Sequence, residues 1–229
     1  MQPYTYKFNA NNCMYKSICG DINTENCNAV CERFMITDFL LHHSNIPVKQ
    51  RQRIKFENRD KDIQAYNTLY GIRNNIVEFV NNGENIYIYS DITRNGKTSW
   101  AISLMLKYFD RIWQGNGFKI RGVFVSVPIF LLNCKNAISK PDNSFEQFKQ
   151  TLRDADLVIW DNIATTNLSN YDSNLLYAYI SERLINKKSN IFTGYLDEYH
   201  SYQCLGEILA PCIWENGDSI QFKAESWKY

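Results

Sequence analysis

The sequence predicts an α/β domain, a central parallel sheet with helices on both faces, and three observations carry that reading. Short apolar runs rich in β-formers, ENIYIYS, RGVFVSVPIFLL, ADLVIWDNI and SNIFTGYL, recur over residues 84–196 with helical patterns between them. That is the order parallel strands require, because each crossover needs a helix-length connection. The first run leads into SDITRNGKTSW, whose GKT ending and following helical pattern match a phosphate-binding loop. The third run ends in Asp161, the place where a parallel sheet beside such a loop carries a magnesium-coordinating acid.

Composition agrees with a globular chain. The 229 residues are 45% hydrophobic and 14% aromatic, enough for one well-packed domain with a smaller module attached. No stretch approaches the roughly 18 uninterrupted apolar residues of a membrane span. The opening MQPYTYKFNANN lacks the basic and then apolar order of a secretion signal, so the expected compartment is the cytoplasm, with no membrane partner. With 25 Lys+Arg against 24 Asp+Glu the formal charge is +1, which neither marks nor excludes a nucleic-acid binder; any basic surface is local.

Residues 1–47 are expected to form a cysteine-rich module. Cys13, Cys19, Cys27 and Cys31 are separated by five, seven and three residues, with a turn-rich GDINTEN segment between the pairs. In a cytoplasmic chain such a cluster reads as metal ligands before disulfides, and four thiolates can close a tetrahedral zinc site that supplies folding energy to a short segment. The spacing is wider than the usual knuckle, so unligated, partly buried cysteines stand as the alternative, and His42 or His43 could replace one thiolate. Cys134, Cys204 and Cys212 lie singly in apolar segments and read as packing residues.

ERFMITDFLLHHSNI has helical spacing and stops at Pro47. VKQRQRIKFENRDKD, residues 48–62, is charged and poor in large apolar residues and reads as a linker to a domain over 63–229. There, IQAYNTLYGIRNNIVEFVNN predicts one amphipathic helix ended by Gly83. ENIYIYS predicts the first strand, SWAISLMLKYFDRIW a long helix, RGVFVSVPIFLL and ADLVIWDNI the second and third strands, NYDSNLLYAYISERLIN a helix and SNIFTGYL the fourth strand. Lys107, Arg111, Lys119 and Arg121 around the long helix read equally well as a solvated face or as a strip facing DNA.

Strand, loop and helix in succession are the context in which a phosphate loop works, since the helix start aims its unbonded N–H groups and positive dipole end at the ligand. On this reading Thr93, Asn95, Gly96, Lys97, Thr98 and Ser99 cradle a nucleotide, and Thr98 and Asp161 share a magnesium ion.

The succession GKT, FVSVPIFL, DLVIWDN, ISERLINKKSNIFTGYL, LGEILAPCIW and IQFKAESWK resembles the AAA+ replicative helicase loaders of the DnaC/DnaI type, in particular the versions carried by phages of Gram-positive bacteria. The resemblance runs from about Asp60 to the carboxyl end, and the cysteine-bearing start is similar to the module with which these loaders contact the helicase. It implies an AAA+ P-loop domain that binds ATP with Mg2+, assembles as an oligomer on the replicative helicase and helps place that ring on single-stranded DNA. It also implies roles: Lys97 on the β- and γ-phosphates, Thr98 and Asp161 on magnesium, Asn162 beside the attacking water, Arg183 near the subunit contact and Lys228 at the sensor-2 position.

Six departures from that pattern bear on chemistry. Small residues stand in the family's loop where this chain has Asp91 and Arg94; a second acid stands where it has Asn162. Arginines that reach a neighbouring subunit stand where it has Ile208 and Cys212, and a polar sensor residue where it has Tyr195. A weakened hydrolysis is expected, and two functions follow: a loader driven by ATP binding, or a pseudo-ATPase that occupies the helicase or a host or phage loader as an adaptor or inhibitor.

Overall fold

The computed structural model describes residues 8–13, 15–51, 60–139, 143–164 and 167–225. Five parallel strands form one sheet in the order β2-β3-β4-β1-β5, with β1 at Asn85–Tyr89, β2 at Gly122–Ser126, β3 at Leu157–Asp161, β4 at Ser189–Gly194 and β5 at Asp218–Gln221. Their residues alternate between two apolar layers, as a period of two requires. Ile86, Ile88, Leu157, Ile159 and Ile191 face one layer; Tyr87, Val158, Trp160 and Phe192 face the other.

Helices α1 (Glu32–His43), α2 (Ile63–Asn74), α3 (Ile76–Asn81) and α4 (Lys97–Ile112) cover the first face. Helices α5 (Val127–Ser139), α6 (Asn143–Asp154), α7 (Asn170–Ile185) and α8 (Glu198–Trp214) cover the second. α4 is the central element: Trp100, Ala101, Ile102, Leu104 and Phe109 are fully buried, which follows from an apolar residue on nearly every side of its first three turns. None of the described helices is long and apolar enough to cross a membrane.

The structure redraws two predicted boundaries and adds a strand and a kinked helix that the sequence did not declare. The run RGVFVSVPIFLL is a strand only to Ser126, and α5 begins at Val127. Pro128 explains the change, because it would cost a strand a ladder hydrogen bond but is tolerated in the first turn of a helix. The helix predicted over Ile63–Asn82 breaks at Asn75 into α2 and α3, with Asn75 closing one and opening the next. β5 was not predicted, since only Ile220 of its four residues is buried. α8 kinks at Gly206 (φ 84°, ψ 169°) and carries Pro211; the carbonyl of Leu205 at the kink accepts a hydrogen bond from the Ser173 hydroxyl.

The segment expected as a separate module shares its core with the sheet domain. Ile36, Phe39, Leu40 and Ile46 belong to the same apolar cluster as α4 and β1. Arg33 donates to Asp110 of α4 at 2.7 Å and lies 3.7 Å over the Tyr15 ring. Along the outer edge of the sheet, Phe124 N–H of β2 donates to Ser44 C=O at 2.7 Å. Most of the expected linker, residues 52–59, lies outside the described residues. Helical spacing in the sequence reveals that α1 has an apolar stripe, but not which surface receives it.

Candidate nucleotide site

At the amino ends of the strands, the far side of the sheet from the loop, a polar network is sealed inside. Arg183 of α7 is 1% exposed, and its guanidinium donates to Leu152 O (2.8 Å), Ala155 O (2.7 Å), Ser189 O (2.7 Å) and Asn190 Oδ1 (2.8 Å). Trp160 Nε1 donates to the same Asn190 oxygen at 3.0 Å. Burial pulls the Arg183 pKa down. Arg183, expected near a subunit contact, ties α6, α7 and β4 together from within. A helical ISERL pattern cannot distinguish an arginine aimed outward from one aimed at carbonyls.

The other end of the sheet collects the predicted phosphate residues. β1 runs out at Tyr89, Ser90 is fully buried with its N–H on Gly194 C=O (3.3 Å), and the chain turns through Asp91–Gly96 into α4. Ser90 Oγ accepts from Ile92 N–H (3.1 Å) and Asn95 Nδ2 (2.7 Å), which closes the loop around its own start. Gly96 has φ 104° and provides no side-chain cap, so the first amides of α4 have no capping side chain at that place. Thr93 is exposed and Ser99 half-buried at the mouth.

Asp161, at the carboxyl end of β3 and 5% exposed, is the focus. Its Oδ1 accepts from the Thr98 hydroxyl at 2.7 Å and from the Thr193 hydroxyl at 2.7 Å; its Oδ2 accepts from Asn162 Nδ2 at 3.1 Å. Burial raises its pKa, opposed by these hydroxyls and by the charge of Lys97. A buried carboxylate beside a threonine hydroxyl at a helix start has the donor chemistry for a hard divalent cation, which prefers oxygen ligands. Thr193 was missed in the sequence; a lone threonine within the apolar run of β4, next to the strand that carries Asp161, is the signal that could have found it.

Lys97 is 6% exposed and turned into the loop. Its ammonium donates to Ser90 O (3.1 Å), Ile92 O (2.7 Å) and Asn95 Oδ1 (3.2 Å), and lies 4.5 Å from the centre of the Tyr195 ring. Burial lowers its pKa to about 8, with the charges of Asp91 and Asp161 acting against the shift. Asp91 itself is exposed.

Arg94 takes φ 56°, a left-handed conformation at a place where the sequence reading expects a small residue. That conformation costs a side-chain-bearing residue roughly 1–2 kcal/mol, whereas glycine adds about 0.5–1 kcal/mol of unfolded-state entropy. Arg94→Gly is therefore expected to raise stability by up to about 1 kcal/mol and the melting temperature by about 3 °C. A lowered melting temperature would mean that the exposed Arg94 side chain makes a compensating interaction.

Ile208 is 54% exposed on α8 and Cys212 is half-buried, its thiol pushed up to about 11 by burial. Lys228 lies outside the described residues. Lys107 and Arg121 are engaged by Asp110 and Asp156, which leaves Arg111 and Lys119 as the exposed pair of the basic strip.

Cys13, Cys19, Cys27 and Cys31 are all half-buried free thiols. Burial raises the Cys13 pKa, and Cys31, Cys19 and Cys27 each add to the rise, so all three lie within electrostatic reach of Cys13. Among the described residues no set of three or more His, Cys, Asp or Glu side chains converges as a metal site. The donor set suits zinc; the sulfurs as placed do not yet enclose it.

Neither a family model nor a curated relative matches the chain. Solved structures do. A DnaC helicase loader is 19% identical over 74% of this chain and 94% of its own, with a TM-score of 0.61. A DnaI structure is 13% identical over 78% and 95%, with a TM-score of 0.64. AMPPCP-bound DnaA from Aquifex aeolicus is 15% identical over 73% of this chain, with a TM-score of 0.59, and the match spans about half of that protein, 48%. The chain shares the fold of the DnaC and DnaI structures.

Proposed function

We propose that the chain is a replication protein of the helicase-loader type that binds ATP with Mg2+ between its phosphate loop and Asp161, and uses binding rather than rapid turnover to assemble on a ring-shaped replicative helicase and help place it on single-stranded DNA. The observation that carries this reading is the 2.7 Å hydrogen bond from Thr98 to the buried Asp161, at the start of the helix that follows a glycine-ended loop. Lys97 would pair with the β- and γ-phosphates, the first amides of α4 would meet phosphate oxygens, and Thr98 and Asp161 would hold magnesium, whose charge offsets that of the phosphates. Asn162 can orient a water but cannot take its proton, so binding outlasts hydrolysis in this design.

Calorimetry with Mg-ATP is the test. Wild type is expected to bind, and Lys97→Ala to weaken binding by about ten- to a hundredfold, the effect of losing a charge-assisted contact of about 1.5–3 kcal/mol. Equal affinity in the two proteins would rule out this site as the seat of binding.

A second reading has its own support. The inward-turned Lys97 and the apolar Ile208 at the expected arginine place favour a pseudo-ATPase that uses the loader scaffold to occupy the helicase, or a host or phage loader, as an adaptor or inhibitor. Capture of the helicase that is indifferent to ATP and to single-stranded DNA would select it.

In either reading the four amino-terminal cysteines are proposed to bind zinc and so order the segment before α1. About one zinc per chain is the expected result of metal analysis on protein purified without chelator, falling to a small fraction in Cys13→Ser with Cys27→Ser. An unchanged metal content in that variant would remove these residues from the ligand set.

A further inference from the structure

The geometry points to Tyr195 as a latch on the phosphate loop: its ring holds Lys97 turned inward, so the site is closed by its own lysine until ring and ammonium part. This rests on the nucleotide-site reading above for its purpose, though not for its geometry. The Lys97 ammonium occupies a ring of acceptors made of Ser90 O, Ile92 O and Asn95 Oδ1, and the Tyr195 ring closes the remaining side at 4.5 Å, inside the range of a cation–π contact. A lysine held in this way is withdrawn from any phosphate oxygen outside the loop.

The ring is fixed from both sides along the chain. Gly194, just before it, is packed so closely on the Tyr87 hydroxyl that a Cβ there would force that side chain to shift. Leu196, just after it, accepts a hydrogen bond from that same Tyr87 hydroxyl at 3.0 Å. Gly194 C=O also takes the N–H of Ser90, the residue whose own carbonyl binds the ammonium. The end of β4 and the start of the loop are therefore one rigid frame, and Tyr195 has little freedom to leave except by turning its side chain. This chain presents a face of π-electrons to the loop lysine.

A ligand that needs Lys97 outside must displace it from this cage, and the apparent affinity falls by the fraction of molecules in which the lysine has been released. Removing the ring is expected to shift that balance about fivefold, which corresponds to about 1 kcal/mol for a cation–π contact.

Two measurements on the full chain test the latch. The first is the rate of amine labelling of Lys97, followed by peptide mass spectrometry at one pH in nucleotide-free protein. Tyr195→Ala is expected to label about fivefold faster than wild type, and Tyr195→Phe, which keeps the ring face, at the wild-type rate. Equal rates in Tyr195→Ala and wild type overturn the latch whatever the nucleotide does. The second is Mg-ATP calorimetry, where Tyr195→Ala is expected to bind about fivefold tighter than wild type. Weaker binding would overturn the latch in favour of a ring that contacts the nucleotide. Faster labelling with no Mg-ATP binding in any variant would uphold the latch and reject the nucleotide reading.

Discussion

Replacing Arg183 with methionine is expected to lower stability by about 4 kcal/mol and the melting temperature by about 10 °C. The substitution keeps much of the volume and removes five N–H donors. Leu152, Ala155 and Ser189 carbonyls then lose the guanidinium in a place that is 1% exposed, while Asn190 Oδ1 keeps only the Trp160 Nε1 donor. Each stranded buried acceptor costs roughly 1–3 kcal/mol, and local relaxation or an entering water keeps the total at the lower end of the sum. Arg183→Lys should fall between the two, because an ammonium satisfies some of the acceptors but cannot span a fork that reaches α6 and β4 together. A subunit-contact arginine would behave differently: its loss would weaken assembly and leave the monomer's melting unchanged. Thermal melting of the monomer separates these, and a shift of under about 3 °C for Arg183→Met would refute the internal role.

The sequence and the structure agree best where chain chemistry is local. The apolar runs of β1, β3 and β4 are buried along their whole length or nearly so, and such runs declare themselves without tertiary information. That the GKT segment links a strand to a helix, and that Asp161 ends a strand, was legible for the same reason, since each lies within one contiguous stretch of chain. What escaped depends on partners distant in sequence. The direction of Arg183 is set by carbonyls up to 31 residues away, and that of Tyr195 by a strand 109 residues from Leu196, neither of which a helical or strand pattern encodes. β5 is a strand because β1 offers it an edge, through the register Ile86↔Asp218 to Tyr89↔Gln221, since its own residues are mostly polar. The β2–α5 boundary was within reach, since Pro128 argues against a continuing strand.

Asn162→Asp combined with Ile208→Arg is expected to raise ATP turnover by at least about a hundredfold, while either change alone leaves it within about tenfold of wild type. Both changes act on one chemical step under the proposed function, in which proton removal by a base and neutralisation of transition-state charge by an arginine reinforce each other, so each group alone yields only a small part of its effect. An acid at 162 restores a group able to accept a proton from water, an effect of about 10²–10⁴ where general bases act. The backbone there is at φ 61°, which aspartate tolerates as asparagine does, so the substitution fits without rebuilding the strand end. It also removes the Asn162 Nδ2 donation to Asp161 and sets two carboxylates side by side, a repulsion that bound magnesium would relieve. An arginine supplied from a neighbouring subunit is worth about 10³–10⁵ in other nucleotide hydrolases. Position 208 suits it, since Ile208 is 54% exposed on α8, whereas Cys212 is half-buried and would spend its side chain on packing. Because that arginine acts between copies, the double variant's specific activity should rise with protein concentration and vanish with Lys97→Ala. Phosphate release no faster than wild type across a wide concentration range would show that copies of this chain do not juxtapose α8 with the loop, and the adaptor reading would then be the one to pursue.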